Sequence, residues 1–202
     1  MASDQKREGI LEAAIRRFAH FGVAKTTMNE IAADLSISKA LLYYYFPDKM
    51  SLYAAVLEHI SGLDRVRHEA ELAAEDDPIR AIERYLEIRT EFILKYYQVL
   101  EHLKTYTPAN LPEPLLRIFD QLRKLELDRI AAIMEKGKKS GLFRIDQARK
   151  TGELYFDFLD GFRQSQLALQ PNIFPDKKQF TALLKREKEF SRIFMNGLTC
   201  DH

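Results

Sequence analysis

Residues 27–49 constrain the fold more than any other part of the chain, because they predict two short helices joined by a tight turn. Thr27 stands three residues before Glu30, the spacing of a capping box at the start of a helix. Ser38 is placed to cap a second helix, 39–46, which Pro47 ends because the residue before a proline avoids the helical region. Two short capped helices with a tight turn are typical of a helix-turn-helix, whose second helix enters the major groove of DNA.

Three consecutive tyrosines, 43–45, occupy the second half of that second helix. Consecutive helical positions point about 100° apart, so the three rings cannot all face one core. Leu42 and Phe46 share a face, and we expect Tyr44 to pack inside with Phe46. Lysine suits guanine, leucine suits the thymine methyl, and tyrosine and lysine also suit phosphates. The predicted base-edge contacts are Lys39, Ala40 and Leu41, and the predicted phosphate contacts are Tyr43, Tyr45 and Lys49.

These residues resemble the DNA-binding signature of the tetracycline-repressor (TetR) family. The resemblance covers roughly the first 60 residues and agrees at several fixed offsets at once. It is carried by Thr27, Glu30–Ala32, Leu35, Ile37–Lys39 and Leu42–Lys49, and upstream by Ile10–Ala14, Phe18, Phe21, Gly22 and Thr26. The resemblance implies that Asn29 and Tyr43 face DNA, and Thr27 joins the predicted contact set. Leu41 departs from the glycine or threonine common in the family, which would change the base edges read.

Composition favours a folded protein without an overall basic field. The 202 residues are 46% hydrophobic and 30% charged, with a net charge of +1, so DNA affinity must come from a local patch. The single cysteine, Cys200, cannot form an internal disulfide. The polar N-terminus does not resemble a signal peptide, and no stretch approaches the roughly 20 apolar residues that span a bilayer. We expect a cytoplasmic location, no membrane contact, and no metal or cofactor.

The rest of the chain predicts helices throughout, and therefore an all-α fold. We expect an N-terminal three-helix helix-turn-helix DNA-binding domain, residues 1–48, followed by a larger helical ligand-binding and dimerisation domain, residues 49–202. Helix 49–72 would connect the two. The other helices are predicted at residues 4–21, 78–106, 113–136, 146–169 and 176–196, with caps or breakers at their ends.

Arg89 is a candidate effector contact because it lies at the centre of an apolar helical stripe. A buried arginine must be paired. Its partner is either an anionic or polar group of a bound effector or a carboxylate on a neighbouring helix. The remaining alternative is that its apolar stem is buried while the charged end reaches solvent. Aromatic residues at helical spacing are consistent with either a plain core or a pocket, and the family resemblance implies an effector pocket in this half. The predicted effector site consists of Arg89, Phe92, Tyr96, Tyr106, Phe119 and Phe162.

The last two predicted helices carry more apolar surface than one core contact needs. Excess apolar surface at a chain end suggests burial against a partner subunit, and the family resemblance implies a four-helix bundle between two copies. The alternative is that both helices only close the core of the monomer. The predicted interface residues are Phe158, Gly161, Phe190 and Phe194.

Two classes of function remain open at this stage. The first is a transcriptional regulator that binds a palindromic operator as a homodimer and is released by a small, largely apolar effector. We expect it to act as a repressor, with an activator as the alternative. The second is a helical small-molecule-binding protein or enzyme without DNA affinity. The sequence has no phosphate loop, no metal-ligand spacing and no recognisable nucleophile with a base. It therefore favours the regulator.

Overall fold

The computed structural model describes residues 2–107, 109–168 and 177–199, and in these ranges it is built from α-helices and one 3-10 turn. The all-α prediction is confirmed. One isolated antiparallel bridge pairs Phe143 with Thr199. The α-helices are α1 (Ala2–Phe21), α2 (Met28–Asp34), α3 (Lys39–Tyr45), α4 (Lys49–Gly62), α5 (Arg65–Ala74), α6 (Pro78–Leu100), α7 (Glu113–Lys139), α8 (Ala148–Ala168) and α9 (Lys177–Asn196); the 3-10 turn is Glu101–Thr105.

The chain divides into two compact units. Unit 1 consists of Met1–Asp64 and Tyr96–Leu122, and unit 2 consists of Arg65–Lys95 and Arg123–His202. This division does not coincide with the predicted domain boundary after residue 48, which stays a prediction. The difference arises because α4 packs closely against α1 and so belongs with the helix-turn-helix.

The predicted connector helix 49–72 is wrong, because two helices occupy this range. Helix α4 ends at Gly62, Leu63 is extended, and Asp64 adopts the left-handed conformation with φ +60° before α5 begins. Residues other than glycine rarely adopt this conformation. The helical periodicity of the sequence therefore does not predict a break at Asp64. Helix α6 is also shorter than predicted. It bends at Tyr96, where φ is −113°, and the 3-10 turn replaces its last predicted residues.

The core of unit 1 forms where α1 meets α4. Ile10, Phe18, Leu52 and Tyr53 are fully buried, and the rings of Phe18 and Tyr53 meet edge to face with centroids 5.7 Å apart. The Tyr53 hydroxyl donates to the Val99 carbonyl at 2.7 Å, so this buried polar group is satisfied. The core therefore fixes the orientation of α1, against which the helix-turn-helix is held.

The core of unit 2 contains a buried ion pair that helical periodicity does not predict. Arg163 of α8 and Glu187 of α9 are 4% and 0% exposed, and the arginine donates to both carboxylate oxygens at 2.7 and 2.6 Å. Arg163 also donates to the Thr90 hydroxyl on α6 at 3.3 Å. Because a buried charge without a partner is very costly, this pair fixes how three helices meet.

Candidate nucleic-acid interface

The capping groups predicted for the helix-turn-helix are confirmed. The Glu30 amide donates to Thr27 Oγ1 at 3.3 Å, and Glu30 Oε2 accepts the Thr27 amide at 2.8 Å, which completes the capping box. The Leu41 amide donates to Ser38 Oγ at 3.2 Å. These bonds satisfy backbone donors that a short helix otherwise leaves open, and they fix where α2 and α3 begin.

The turn between α2 and α3 is held by backbone hydrogen bonds. Ser36 takes the left-handed conformation with φ +51°, and its amide donates to the Ala33 carbonyl at 3.0 Å. The Ile37 amide donates to the Ala32 carbonyl at 3.0 Å. The end of α2 is also tied to α1, because Arg17 donates to both Asp34 oxygens, at 2.6 and 3.1 Å. That hydrogen bond from Arg17 lowers the pKa of Asp34 below its ordinary value.

Helix α3 has one buried face and one face open to solvent. Leu42 and Phe46 are buried, while Tyr43 is 47% and Tyr44 is 80% exposed. The prediction that Tyr44 packs inside is wrong. Tyr44 follows Leu42 by two positions, about 200° around the helix, so it points away from the core that Leu42 enters. Tyr45 is half-buried, and its ring meets that of Tyr44 edge to face at 5.3 Å.

Four of the other predicted DNA contacts are exposed, two on α3 and two at the start of α2. Lys39 and Ala40 are exposed in the first turn of α3, and Leu41 is half-buried. Thr27 and Asn29 are exposed at the start of α2. Together with the exposed tyrosines of α3, these residues supply a cation, hydroxyl groups and aromatic rings, which suit contacts with phosphates and base edges. The assignment of individual contacts stays a prediction.

Lys49 has a structural role that the sequence does not reveal. Its ammonium group donates to three backbone carbonyls of the segment between α1 and α2, those of Val23 at 2.9 Å, Ala24 at 3.2 Å and Thr26 at 3.0 Å. An ammonium has three N–H donors, so these bonds use its full capacity. To contact a phosphate, Lys49 would have to give up hydrogen bonds that hold this segment in place.

Arg7 is a basic residue near α3 that sequence reasoning missed. It is exposed on α1, and its guanidinium carbon lies 5.5 Å from the centre of the Phe46 ring. This distance is typical of a cation–π contact. The contact brings a positive charge from α1 to the C-terminal end of α3, although the two residues are far apart in sequence.

Arg89 makes the structural ion pair that was the alternative to effector binding. Its Nη2 donates to Asp160 Oδ1 at 3.1 Å, and its Nε lies 3.9 Å from Glu126 Oε2. Burial opposes its charge, but Tyr85 and the two carboxylates hold its pKa above the ordinary value. Its Nη1 is buried without an acceptor among the described residues. Its role as an effector contact stays a prediction.

The remaining predicted effector residues are divided between the two units. Phe92 and Phe162 belong to unit 2, and Tyr96, Tyr106 and Phe119 belong to unit 1. All five are half-buried. Within unit 1, the Tyr106 hydroxyl donates to the sulfur of Met50 at 3.3 Å. The pocket predicted from these residues stays a prediction.

The predicted interface residues form an aromatic surface on α8 and α9. Phe158 is 60% exposed, and its ring stacks on that of Phe190 with centroids 6.3 Å apart. Phe190 also contacts Phe194 at 6.0 Å. Gly161 is exposed, with open space where a side chain would stand. Two further exposed apolar residues, which the sequence reasoning missed, are Leu154 on α8 and Ile193 on α9.

Neither a membrane span nor a metal cluster is found in the part of the chain that the structure describes. None of its helices combines the length and apolar character that crossing a bilayer requires. No group of three or more histidine, cysteine, aspartate or glutamate side chains is arranged to hold a metal ion in these ranges.

Sequence comparison matches the helix-turn-helix to a known family model. The model for bacterial regulatory proteins of the tetR family matches residues 10–56. The HTH-type transcriptional regulator RutR of Escherichia coli K12 is 33% identical over 141 residues, which cover 69% of this chain and 65% of RutR. The match thus spans slightly less than two thirds of RutR. The HTH-type transcriptional repressor NicS of Pseudomonas putida is 29% identical over 149 residues, covering 71% of this chain and 68% of NicS.

Solved structures of similar proteins share the whole fold. A transcriptional regulator from Cytophaga hutchinsonii is 27% identical with a TM-score of 0.80, covering 96% of this chain and 99% of that one. A tetR-family regulator from Pectobacterium atrosepticum is 17% identical with a TM-score of 0.73, covering 98% and 96%. The second likeness concerns the fold alone. The helical arrangement is therefore that of known transcriptional regulators.

Proposed function

Because the chain belongs to the tetR family of bacterial regulatory proteins, we propose that it is a DNA-binding transcriptional repressor whose α3 reads the major groove. The observation that carries this proposal is the open face of α3. A capped helix that buries Leu42 and Phe46 leaves Lys39, Tyr43 and Tyr44 in solvent. Exposed tyrosine side chains contribute nothing to the core of the monomer, but their hydroxyl groups can donate hydrogen bonds to DNA phosphates.

The roles of these residues follow from their positions on the helix. Lys39 and Ala40 stand in the first turn of α3, where helix-turn-helix proteins contact base edges. The Tyr43 and Tyr44 hydroxyls would donate to phosphates, and Arg7, held over Phe46, would add a positive charge beside them. Lys49 would act indirectly, by holding the segment between α1 and α2. Lys39 and Arg7 would supply a local positive charge for DNA, since the net charge of +1 gives no overall basic field.

We further propose that the protein is a homodimer on a palindromic operator. The aromatic surface of Phe158, Phe190 and Phe194, extended by Leu154 and Ile193, is the apolar area that a second copy would cover. A two-fold axis presents two copies of α3. Dimeric helix-turn-helix proteins bind half-sites about 34–36 Å apart, which is one turn of DNA.

A small molecule bound in unit 1 or unit 2 would cause release from DNA. It would do so by binding more tightly to a conformation of the protein that has low affinity for the operator. A coupling of about 1–3 kcal/mol would change operator affinity some 5–150-fold. Relatives named as transcriptional regulators favour this function over an enzyme or a ligand-binding protein without DNA affinity.

The test is a gel-shift titration with the DNA upstream of the protein's own gene. The wild type should shift this duplex at protein concentrations that leave an unrelated duplex free. Tyr43→Phe keeps the ring and removes the hydroxyl, so it should weaken binding nearly as much as Tyr43→Ala does, with the thermal midpoint almost unchanged. Binding of neither duplex would favour the alternative function, and equal binding of both would contradict the operator specificity that a repressor needs. A large loss of stability in Tyr43→Ala would show that this residue is core.

A further inference from the structure

Arg17 on α1 holds α2 through two carboxylates. Its Nε and Nη2 donate to the two Asp34 oxygens at 2.6 and 3.1 Å, and its Nη1 lies 3.3 Å from Glu30 Oε1. The Arg17 side chain is 19% exposed, and its guanidinium carbon lies 5.2 Å from the centre of the Phe21 ring. Each guanidinium nitrogen therefore faces a carboxylate oxygen of α2. We call Arg17, Glu30 and Asp34 the α1–α2 clamp.

The geometry of the clamp distinguishes it from an ordinary surface ion pair. An exposed ion pair contributes little unless it is bidentate or belongs to a network of charges. Arg17 and Asp34 form the bidentate arrangement, in which two parallel hydrogen bonds fix an angle as well as a distance. Glu30 adds a second carboxylate, and the Phe21 ring covers the guanidinium group. The clamp therefore restricts the angle at which α2 lies on α1.

The clamp contacts α2 near both of its ends. Asp34 is the last residue of α2, and Glu30 belongs to its first turn. Glu30 Oε2 also accepts both the amide and the hydroxyl of Thr27, each at 2.8 Å. A threonine hydroxyl has one proton, so Thr27 cannot donate to a phosphate while this bond is present. Thr27 thus links the clamp to the start of α2.

The turn after α2 carries the position of α2 to α3. Helix α2 packs closely against α1 on one side and against α3 on the other. The Ser36 amide donates to the Ala33 carbonyl and the Ile37 amide to the Ala32 carbonyl, so both bonds tie the turn to α2. Asp34 stands just before this turn. A change in the angle of α2 on α1 would therefore move α3 as well.

We propose that Arg17 is a positioning residue for DNA recognition. By clamping α2 on α1, it holds α3 at the angle that fits the operator, and it does so without touching DNA. This inference rests on the proposed function, because it requires that α3 reads DNA. When α3 is held less firmly, fewer molecules are ready to bind, and the apparent operator affinity falls by the same fraction. Non-specific binding depends mainly on the charge of the phosphates, so it should change little.

The test compares the affinities of variants for the operator duplex and for an unrelated duplex, well below the thermal midpoint. Arg17→Met should weaken operator binding about tenfold, which corresponds to a fall of the competent fraction to one tenth. Its binding to the unrelated duplex and its salt slope should match those of the wild type. Arg16→Met is the matched control. Arg16 is the exposed neighbour that lies 3.9 Å from Glu12 on the same helix, and its replacement should leave the ratio of the two affinities unchanged.

Asp34→Ala separates positioning from charge. Loss of a carboxylate lessens repulsion from phosphates, and alanine suits the end of a helix better than aspartate does. Both effects predict equal or tighter binding of any duplex. A positioning role predicts the opposite for the operator, so Asp34→Ala should weaken operator binding as Arg17→Met does.

A charge reversal tests whether the pair itself is responsible. Arg17→Glu alone places three carboxylates together and should weaken operator binding more than Arg17→Met does. Adding Asp34→Arg re-forms the ion pair with its charges exchanged, so the double variant should recover most of the lost operator affinity. A double variant that binds the operator no better than Arg17→Glu would overturn the proposal.

A measurement without DNA separates this proposal from the proposed function. Residual dipolar couplings of the α3 amides, compared with those of α1, report the angle between the two helices. They should change in Arg17→Met and Asp34→Ala and stay at wild-type values in Arg16→Met. Unchanged couplings in Arg17→Met would refute the clamp whether or not the protein binds DNA. A salt slope lowered by about one in Arg17→Met would also refute it, since Arg17 would then contact a phosphate. Failure of the wild type to bind any duplex would contradict the proposed function, while the couplings would still show whether the clamp orients α3.

Discussion

Replacing Lys49 with methionine separates a structural role from a DNA-contacting role. Methionine keeps an apolar stem of similar length and removes the ammonium group. In the structure this group donates to the carbonyls of Val23, Ala24 and Thr26, at 2.9, 3.2 and 3.0 Å. The substitution therefore leaves three carbonyls between α1 and α2 without their donor.

The size of the effect follows from the environment of these bonds. A hydrogen bond that involves a charged group contributes about 1.5–3 kcal/mol to stability. The three bonds share one ammonium group, and they are partly exposed, so water can replace some of what is lost. We expect Lys49→Met to lower the free energy of unfolding by about 2 kcal/mol, well below the sum of three separate bonds.

Urea unfolding and hydrogen exchange together measure this loss. The α2 amides should exchange faster in Lys49→Met, since the segment before α2 is no longer held. Lys25→Met is the matched control, because Lys25 is an exposed lysine of the same segment, and it should change neither measurement. In DNA titrations at several salt concentrations, Lys49→Met should keep the wild-type salt slope, whereas Lys39→Met should lower it by about one.

The opposite pattern would refute this reasoning. If Lys49→Met lowers the salt slope by about one and leaves both the unfolding free energy and the α2 exchange rates unchanged, the ammonium group contacts phosphate. The sequence-based interpretation of Lys49 would then be correct, and the three carbonyl bonds would contribute little in solution.

Three other predictions concern assembly, the core of unit 2 and pH. Phe194→Glu should give monomers by light scattering because it puts a charge in the aromatic surface, whereas Leu116→Glu, at an exposed apolar residue of α7, should not. Glu187→Gln leaves its buried partner arginine without a counter-charge and should cost about 3–5 kcal/mol in urea unfolding. Because folding lowers the pKa of Asp34 below its ordinary value of 3.8, the ionised carboxylate stabilises the fold at pH values above 3.8. This stabilisation is lost as the pH falls through the lower pKa of the folded state. Arg17→Met should therefore reduce the fall in thermal midpoint between about pH 5 and pH 2.

The sequence is sufficient to predict structure where the signal is local. The capping box at Thr27, the cap at Ser38 and the end of α3 before Pro47 each depend on residues within a few positions of one another. All three are found in the structure. Gly22 likewise takes the left-handed conformation with φ +79°, which is common for a glycine that directly follows a helix. The family resemblance rests on this same local pattern.

Features that depend on distant residues could not be predicted in this way. The break at Asp64 needs a non-glycine residue in the left-handed conformation, which no local motif marks. The three carbonyls that Lys49 holds lie more than twenty positions earlier in the chain. The prediction that Tyr44 packs inside is wrong for a different reason. Its neighbours suggested a core position, although two positions along a helix from Leu42 is nearly the opposite face.

Hydroxyl-radical footprinting of the wild type on the DNA upstream of its gene tests the central claim most directly. A dimer that places two copies of α3 in successive major grooves should protect two patches of backbone about 10–10.5 base pairs apart, related by two-fold symmetry. Tyr43→Ala should remove both patches together. Uniform weak protection along the whole duplex, or no protection at concentrations well above those used in the gel shift, would contradict the account.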